Sequence, residues 1–249
     1  MTRIVYENGV YWGITGNIST RIKPQDNNLR PIYRMKVLEL FSGTGSVSKI
    51  CEEYGFDCIS VDITDKLHPV DIKTDILTWD YKNRFKPGDF DIIWASPPCS
   101  SFSTMVNLSK TKDKIILGME KNGLPPLYKT REIIDYFKPE YYFIENPRGG
   151  RMKNYITDLP YHDISYCRYG FDYQKHTRIW TNLDSFTPRF CGKKTGYCEN
   201  RKISKTHKAQ VGITRKIATA KFKANGTNPS LEIKYRIPPN LIRSIFDSV

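Results

Sequence analysis

Lys36-Val37-Leu38-Glu39-Leu40-Phe41-Ser42-Gly43-Thr44-Gly45 is the stretch from which the rest of the chain can be read. Its near-continuous apolar run predicts a strand buried on both faces, ended by a glycine turn, with an amphipathic helix from about Ser46 to Tyr54. Glycines there let the main chain and a helix N-terminus approach an anionic or carboxylate-bearing ligand. A tight structural turn has the same spacing, so the next strand matters. Cys58-Ile59-Ser60-Val61-Asp62 ends on a carboxylate, the position from which a ribose diol is held. Asp71 to Leu77 then sets Asp75 beside Ile76, a pair able to grip an adenine by hydrogen bond and packing. Further strands, Phe90 to Ala95 and Tyr141 to Ile144, are separated by helical patterns such as Thr130 to Phe137. This alternation predicts an α/β fold with a parallel sheet whose ligands lie at the carboxyl ends of the strands.

The Phe90–Ala95 strand runs into Ser96-Pro97-Pro98-Cys99-Ser100-Ser101-Phe102-Ser103. Two prolines forbid regular continuation, so Cys99 is held on a stiff, irregular segment at the sheet rim, as a nucleophile must be. Tyr141 to Ile144 likewise delivers Glu145-Asn146-Pro147-Arg148. A carboxylate after four apolar residues needs partners or a proton, and burial favours the proton. A salt bridge to Arg148 is the plainer alternative. Thr104 to Lys129, polar and basic, is expected to be a long mobile loop. Two short strands are expected around Tyr169-Gly170 and Arg178-Ile179-Trp180, and Ile237-Pro238-Pro239-Asn240-Leu241-Ile242 opens a final helix.

With 249 residues, 39% hydrophobic and 13% aromatic, the chain is long and apolar enough for a sizeable core, which excludes general disorder. No run has the length of a membrane span and no signal peptide is evident, so a soluble cytoplasmic protein is expected. Six cysteines at 51, 58, 99, 167, 191 and 198 without a secretory context argue against a disulfide framework. The net charge of +13 is concentrated: residues 189 to 223 carry eleven Lys and Arg against Glu199 alone, which favours a polyanion such as nucleic acid. Within that segment Cys191, Cys198 and His207 match no familiar zinc spacing and lack an evident fourth ligand, so no metal is expected. Arg3 to Tyr6 and Val10 to Ile14 around Asn8-Gly9 predict a β-hairpin, followed by a linker to Arg34.

Four stretches in this order resemble the cytosine C5 methyltransferases that use S-adenosylmethionine. They are Leu40 to Gly45, Pro98-Cys99-x-x-Phe102-Ser103, Glu145-Asn146-Pro147, and Tyr169-Gly170 followed by Gln174 and Arg178. Lys175 to Asn182 is similar to the short phage and viral branch of that family, and restriction-modification is the context the resemblance implies. The resemblance implies a Rossmann-like class I methyltransferase sheet over 35–182, a small basic target-recognition segment over 183–231, and a C-terminal helix, 232–249, packing back on the catalytic domain. Residues 1–34 are expected to be a hairpin-like extension and linker that docks on the body, since a hairpin alone is marginal. The implied activity is methyl transfer to C5 of a flipped-out cytosine, with S-adenosylhomocysteine as product.

By the same resemblance Cys99 attacks C6, Glu145 neutralises N3, and Arg178, or His176 in the place of the usual first arginine, contacts O2. Phe41, Ser42, Gly43, Gly45, Asp62, Ile63, Asp75, Ile76 and Pro97 would hold the cofactor. Ser101, Ser103, Lys193, Lys194, Arg201, Lys202, Arg215 and Lys216 would meet double-stranded DNA, the protein acting as a monomer. The loss of one arginine, with His176 in its place, and the short recognition segment leave open a catalytically inactive nucleic-acid-binding relative; Pro147 is a further departure, standing where the family has a valine. Ser96-Pro97-Pro98-Cys99 also resembles the tRNA cytosine methyltransferase branch, which leaves an RNA substrate open.

Overall fold

The computed structural model describes residues 3–7, 10–15, 18–22, 34–103, 111–199, 209–210 and 235–249. The chain divides into two compact units, Met1–Arg34 and Met35–Val249. In the first, β1 (Arg3–Glu7), β2 (Val10–Thr15) and β3 (Ile18–Ile22) form an antiparallel meander. Pairing of Glu7 with Val10 agrees with the expected hairpin, whose Asn8-Gly9 lies outside the described residues. The third strand adds to that hairpin: Ile18-Ser19-Thr20-Arg21-Ile22 carries its β tendency in β-branched residues, with little apolar weight.

The second unit is built on a sheet of seven strands: β4 (Lys36–Leu40), β5 (Asp57–Asp62), β6 (Ile72–Lys73), β7 (Ile92–Ala95), β8 (Tyr141–Pro147), β9 (Tyr161–Ser165) and β11 (His176–Thr181). They lie in the order β6-β5-β4-β7-β8-β11-β9. Every pairing is parallel except those of β11, which runs antiparallel to both β8 and β9. From β4 the chain moves outward through β5 and β6, then returns to add β7 and β8 on the other side. The crevice between the carboxyl ends of β4 and β7 is therefore the topological switch point, where open α/β sheets bind ligands. A short parallel pair, β10 (Tyr173–Gln174) with β12 (Ala209–Gln210), lies outside the main sheet.

Central strands are apolar because both their faces are covered. Val37, Leu38, Leu40, Ile92, Ile93 and Trp94 are fully buried, and the Trp94 and Phe143 rings stack at 5.2 Å. One face packs on α1 (Ser46–Tyr54) and α4 (Pro239–Phe246), whose Leu241, Ile242 and Ile245 join Val47 and Ile50 in one cluster. Tyr54 fixes that helix pair further through a 2.7 Å bond to Asp247 and an edge contact with Phe246. The other face packs on α3 (Leu124–Phe137), through Ile133 and Phe137.

Two expectations are corrected here. The loop expected over 104–129 is largely helical from Lys112 onward: α2 (Lys112–Asn122) and α3 occupy it, while 104–110 lie outside the described residues. Pro125 and Pro126 stand in the first turn of α3, where a missing N–H costs nothing, and so they open a helix instead of closing a loop. Tyr169-Gly170, expected in a strand, ends a 3₁₀ turn over Tyr166–Tyr169, with Gly170 at φ +98. The strand there is β9. Among the described residues no helix is long and apolar enough to cross a membrane.

Candidate active site

The turn after β4 is wound in the left-handed region three times, at Phe41 (φ 58), Gly43 (φ 51) and Gly45 (φ 62). For the glycines this is permitted; for Phe41 it costs about 1–3 kcal/mol and marks a turn held by its surroundings. Gly45 also lacks room, because a Cβ there would lie 2.6 Å from Nδ1 of His68. Asp62, at the end of β5, closes the turn: its Oδ2 accepts the Gly43 N–H at 2.9 Å and its Oδ1 the Thr64 N–H at 3.0 Å. With no side chain at the cap, α1 is capped from the strand instead. Glu39 accepts the Val47 and Ser48 N–H groups at 3.1 and 3.0 Å. Burial pushes the Glu39 carboxyl up to about 7, against those two bonds and nearby Lys49.

Around this turn the expected cofactor residues are disposed unevenly. Ile63 is 65% exposed beside Asp62, an open apolar surface, and Asp75 is exposed with its Oδ1 fixed by the Leu77 N–H at 2.9 Å. The buried Ser42 Oγ has no hydrogen-bond partner among the described residues. The Ile76 side chain is buried in the core, at 6% exposure, which leaves it little free surface for the packing contact expected of it. A free apolar surface, a fixed carboxylate, an unpartnered hydroxyl and a glycine turn at the switch point fit a nucleoside-bearing cofactor.

Cys99 stands one strand away. Ser96 N–H bonds Leu40 O at 3.2 Å, after which the two prolines lead to a half-exposed Cys99 and a single 3₁₀ turn, Ser100–Phe102. Phe102 is fully buried and its carbonyl accepts the Arg151 N–H at 2.9 Å, anchoring the far side of the loop. Asn146 anchors the near side, donating from Nδ2 to Pro97 O at 2.8 Å. Ser101 and Ser103 are half-buried.

Glu145, 6% exposed, accepts the Tyr166 hydroxyl on Oε1 at 2.9 Å, and the Lys175 ammonium lies 3.6 Å from the same oxygen. That ammonium also sits 4.6 Å from the centroid of the Tyr166 ring. Burial, then the Glu145 charge, push the Cys99 thiol up, while Lys175 pulls it down. Cys99, Glu145 and Lys175 thus form one electrostatic group, in which the cysteine rests as a thiol.

His176 and Arg178 are not part of it. In β11 Ile179 pairs with Glu145 and Arg178 with Asn146, so alternation sends Arg178 and His176 to the face opposite Glu145. There the Arg178 Nε and Nη2 donate to Asp163 at 2.8 and 3.0 Å, and its guanidinium lies 3.6 Å from the centre of the Tyr161 ring. His176 bonds Ser165 Oγ through Nδ1 at 2.8 Å and stacks on Phe190 at 4.5 Å. The O2 contact expected of Arg178 or His176 therefore does not fit this arrangement; the cation on the correct face is Lys175. Arg148, the alternative partner for Glu145, instead bonds Asp163 at 2.6 Å. Burial would raise the Asp163 carboxyl, yet its two guanidinium partners hold it below its ordinary value. On that opposite face a cleft of about 410 Å³ is lined by Arg148, Arg168, Arg189, Phe190 and Asp163. Of the residues expected to meet DNA, Lys193 and Lys194 are exposed, while Arg201, Lys202, Arg215 and Lys216 lie outside the described residues.

Replacing Lys175 by methionine should raise the apparent pKa of Cys99, since the Lys175 charge favours the thiolate. The rate of Cys99 alkylation against pH, followed by peptide mass spectrometry, would measure it; an unmoved profile would remove Lys175 from the group.

Residues 35–155 match the family model of the C-5 cytosine-specific DNA methylases. The chain is 37% identical over 221 residues to a probable DNA (cytosine-5)-methyltransferase of Frog virus 3 (isolate Goorha), covering 86% of this chain and 99% of that protein. A solved SAM-dependent methyltransferase from Archaeoglobus fulgidus is 18% identical over 46% of this chain and 45% of its own, with a TM-score of 0.31. On the viral relative and the family model together, this chain belongs to the family of C-5 cytosine-specific DNA methylases.

Proposed function

We propose that this chain moves a methyl group from S-adenosylmethionine to C5 of a cytosine turned out of duplex DNA, through a covalent adduct at Cys99. The observation that carries the reading is the convergence of a half-exposed Cys99 with buried Glu145 and Lys175 on the rim beside the glycine turn. The viral relative's name favours DNA over RNA as substrate.

The chemistry asked of the residues follows from the inertness of cytosine C5. Cys99 loses its proton to water, Lys175 offsetting the thiolate charge, and the Sγ–C6 bond forms while the C5–C6 π pair shifts to C5. Glu145 donates a hydrogen bond or a proton at N3 and so stabilises the adduct. When bound, the cofactor would supply an electrophilic methyl on its sulfonium; C5 takes that methyl as the sulfur–methyl bond breaks, its electron pair staying on sulfur in S-adenosylhomocysteine. A base removes the C5 proton, the pair returns to the ring, and the Sγ–C6 bond breaks. Asp62 would hold the ribose hydroxyls, Ile63 and the Asp75–Ile76 backbone would border the adenine, and Gly43 with Gly45 would admit the methionine portion. Tyr166 fixes the Glu145 carboxyl. Lys193, Lys194 and the cleft arginines would receive backbone phosphates, which position the duplex without reading its sequence.

A duplex with 5-fluorocytosine as the target base tests this, because fluorine at C5 blocks the final elimination. The expected product, in the presence of cofactor, is a denaturant-stable complex with the nucleotide on the Cys99 peptide. Cofactor binding without any such complex, on DNA carrying all sequence contexts, would overturn the covalent route. Capture on tRNA alone would move the substrate to RNA.

A further inference from the structure

Three cysteines outside the candidate active site converge. Cys167 lies in the 3₁₀ turn after β9, whereas Cys191 and Cys198 flank a tight loop closed by a bridge between Gly192 and Gly196. Their three sulfurs lie within 4.8 Å of one another, and each residue is at most 7% exposed. The cluster stands apart from the main core, with Tyr197 the partly buried hydrophobic packed against it. Burial of so little apolar area is a poor reason for three small side chains to meet.

The backbone around the sulfurs is well held. Cys198 N–H donates to Cys191 Sγ at 3.3 Å, the kind of bond that stabilises a thiolate. Gly192 N–H bonds Gly196 O at 3.0 Å across the loop, and Gly196 takes a left-handed φ of 80°. Arg168 donates to the carbonyls of Thr195 and Tyr197 at 3.3 and 3.4 Å, which keeps a positive charge against the same loop. Cys191 itself is tied to the sheet: its N–H bonds Ser165 Oγ at 2.9 Å and its carbonyl accepts Gln174 Nε2 at 3.1 Å.

We propose that Cys167, Cys191 and Cys198 are ligands of a structural zinc ion that pins the start of the basic segment to the catalytic sheet. With Zn–S bonds of about 2.3 Å, tetrahedral geometry sets sulfurs about 3.8 Å apart, inside the observed limit. Soft thiolates select zinc over the hard divalent cations, and a fourth donor or water completes the sphere. Three thiolates on a divalent ion leave one negative charge, which the neighbouring arginine offsets. This revises the expectation that no metal binds. The spacing of Cys191 and Cys198 matches no familiar pattern because the third sulfur comes from a distant turn, and His207 lies outside the described residues. Metal binding would hold Phe190 against His176 and Arg148, so the ion shapes the basic cleft and not the methyl-transfer group.

The test uses the full chain, expressed with zinc and freed of loosely held metal. About one equivalent of zinc per chain is expected, falling to a small fraction in Cys191→Ala and Cys167→Ala and unchanged in Cys51→Ala, a buried cysteine outside the cluster. Titrating the wild-type protein with a mercurial should release zinc in step with three thiols, a readout independent of whether the variants fold. Cobalt substitution should give thiolate-to-metal absorption of tetrahedral type, lost in Cys191→Ala. Wild-type protein with little zinc, or zinc retained in Cys191→Ala, would overturn the site, as would a disulfide found between two of the three cysteines.

Discussion

Cys99→Ala should lower methyl transfer to DNA by at least about 10⁴-fold, the scale on which an enzyme loses rate when its nucleophile is deleted. The variant removes one sulfur from a loop whose shape it does not set, since that loop is held by Phe102, buried in the core, and by the Asn146 bond to Pro97. Folding and cofactor binding should therefore survive. Single-turnover transfer of a labelled methyl group, alongside cofactor affinity by calorimetry, separates the two. A variant that binds cofactor and still methylates within tenfold of the parent would leave Cys99 without its assigned role. Cys99→Ser is a second check: the hydroxyl is far less acidic than a thiol, so it too should fail, despite filling nearly the same volume.

Glu145→Gln should act in two opposed directions at once. The amide keeps the shape and can still accept from Tyr166, but it offers neither a proton nor a charge at N3, so transfer should fall by about 10² to 10⁴-fold. The loss should lie in the chemical step, with DNA affinity little altered. Cys99 should meanwhile become more reactive towards a small alkylating agent at neutral pH. The sign follows from the site: burial and then the Glu145 charge raise the thiol's pKa while Lys175 lowers it, so deleting the Glu145 charge leaves only burial against Lys175. A merely structural carboxylate would not produce slower methylation together with faster alkylation. Equal falls in both rates would mean that the substitution had deformed the loop.

Much of this site can be read from sequence because its residues end buried strands. Val37 to Leu40, Ile92 to Ala95 and Tyr142 to Ile144 are apolar runs bounded by glycine or proline, and burial on both faces leaves them little alternative. The following residues, Gly43, Cys99 and Glu145, then fall on one rim by topology. Three parts were hidden for different reasons. The α2 helix is mostly exposed, with Met119 its buried residue, so its composition resembles a loop. Lys175 is ordinary in a basic chain; its place is set by strand alternation, and the pattern of neighbouring Gln174 and Arg178 points to the wrong face. Cys167 joins its partners only through the return of the chain across the sheet, which no local spacing encodes.

The short amide bridge from Asn146 to the carbonyl of Pro97 couples the end of β8 to the loop after β7, two segments with no covalent reason to move together. A base pressing on the nucleophile's segment would drag the glutamate's strand tip with it, so the pair yields as a single jaw. Its gape is then set by one side chain whose length cannot vary, and Asn146→Ala would let the two tips move independently, carrying Cys99 and Glu145 out of register although neither is itself altered.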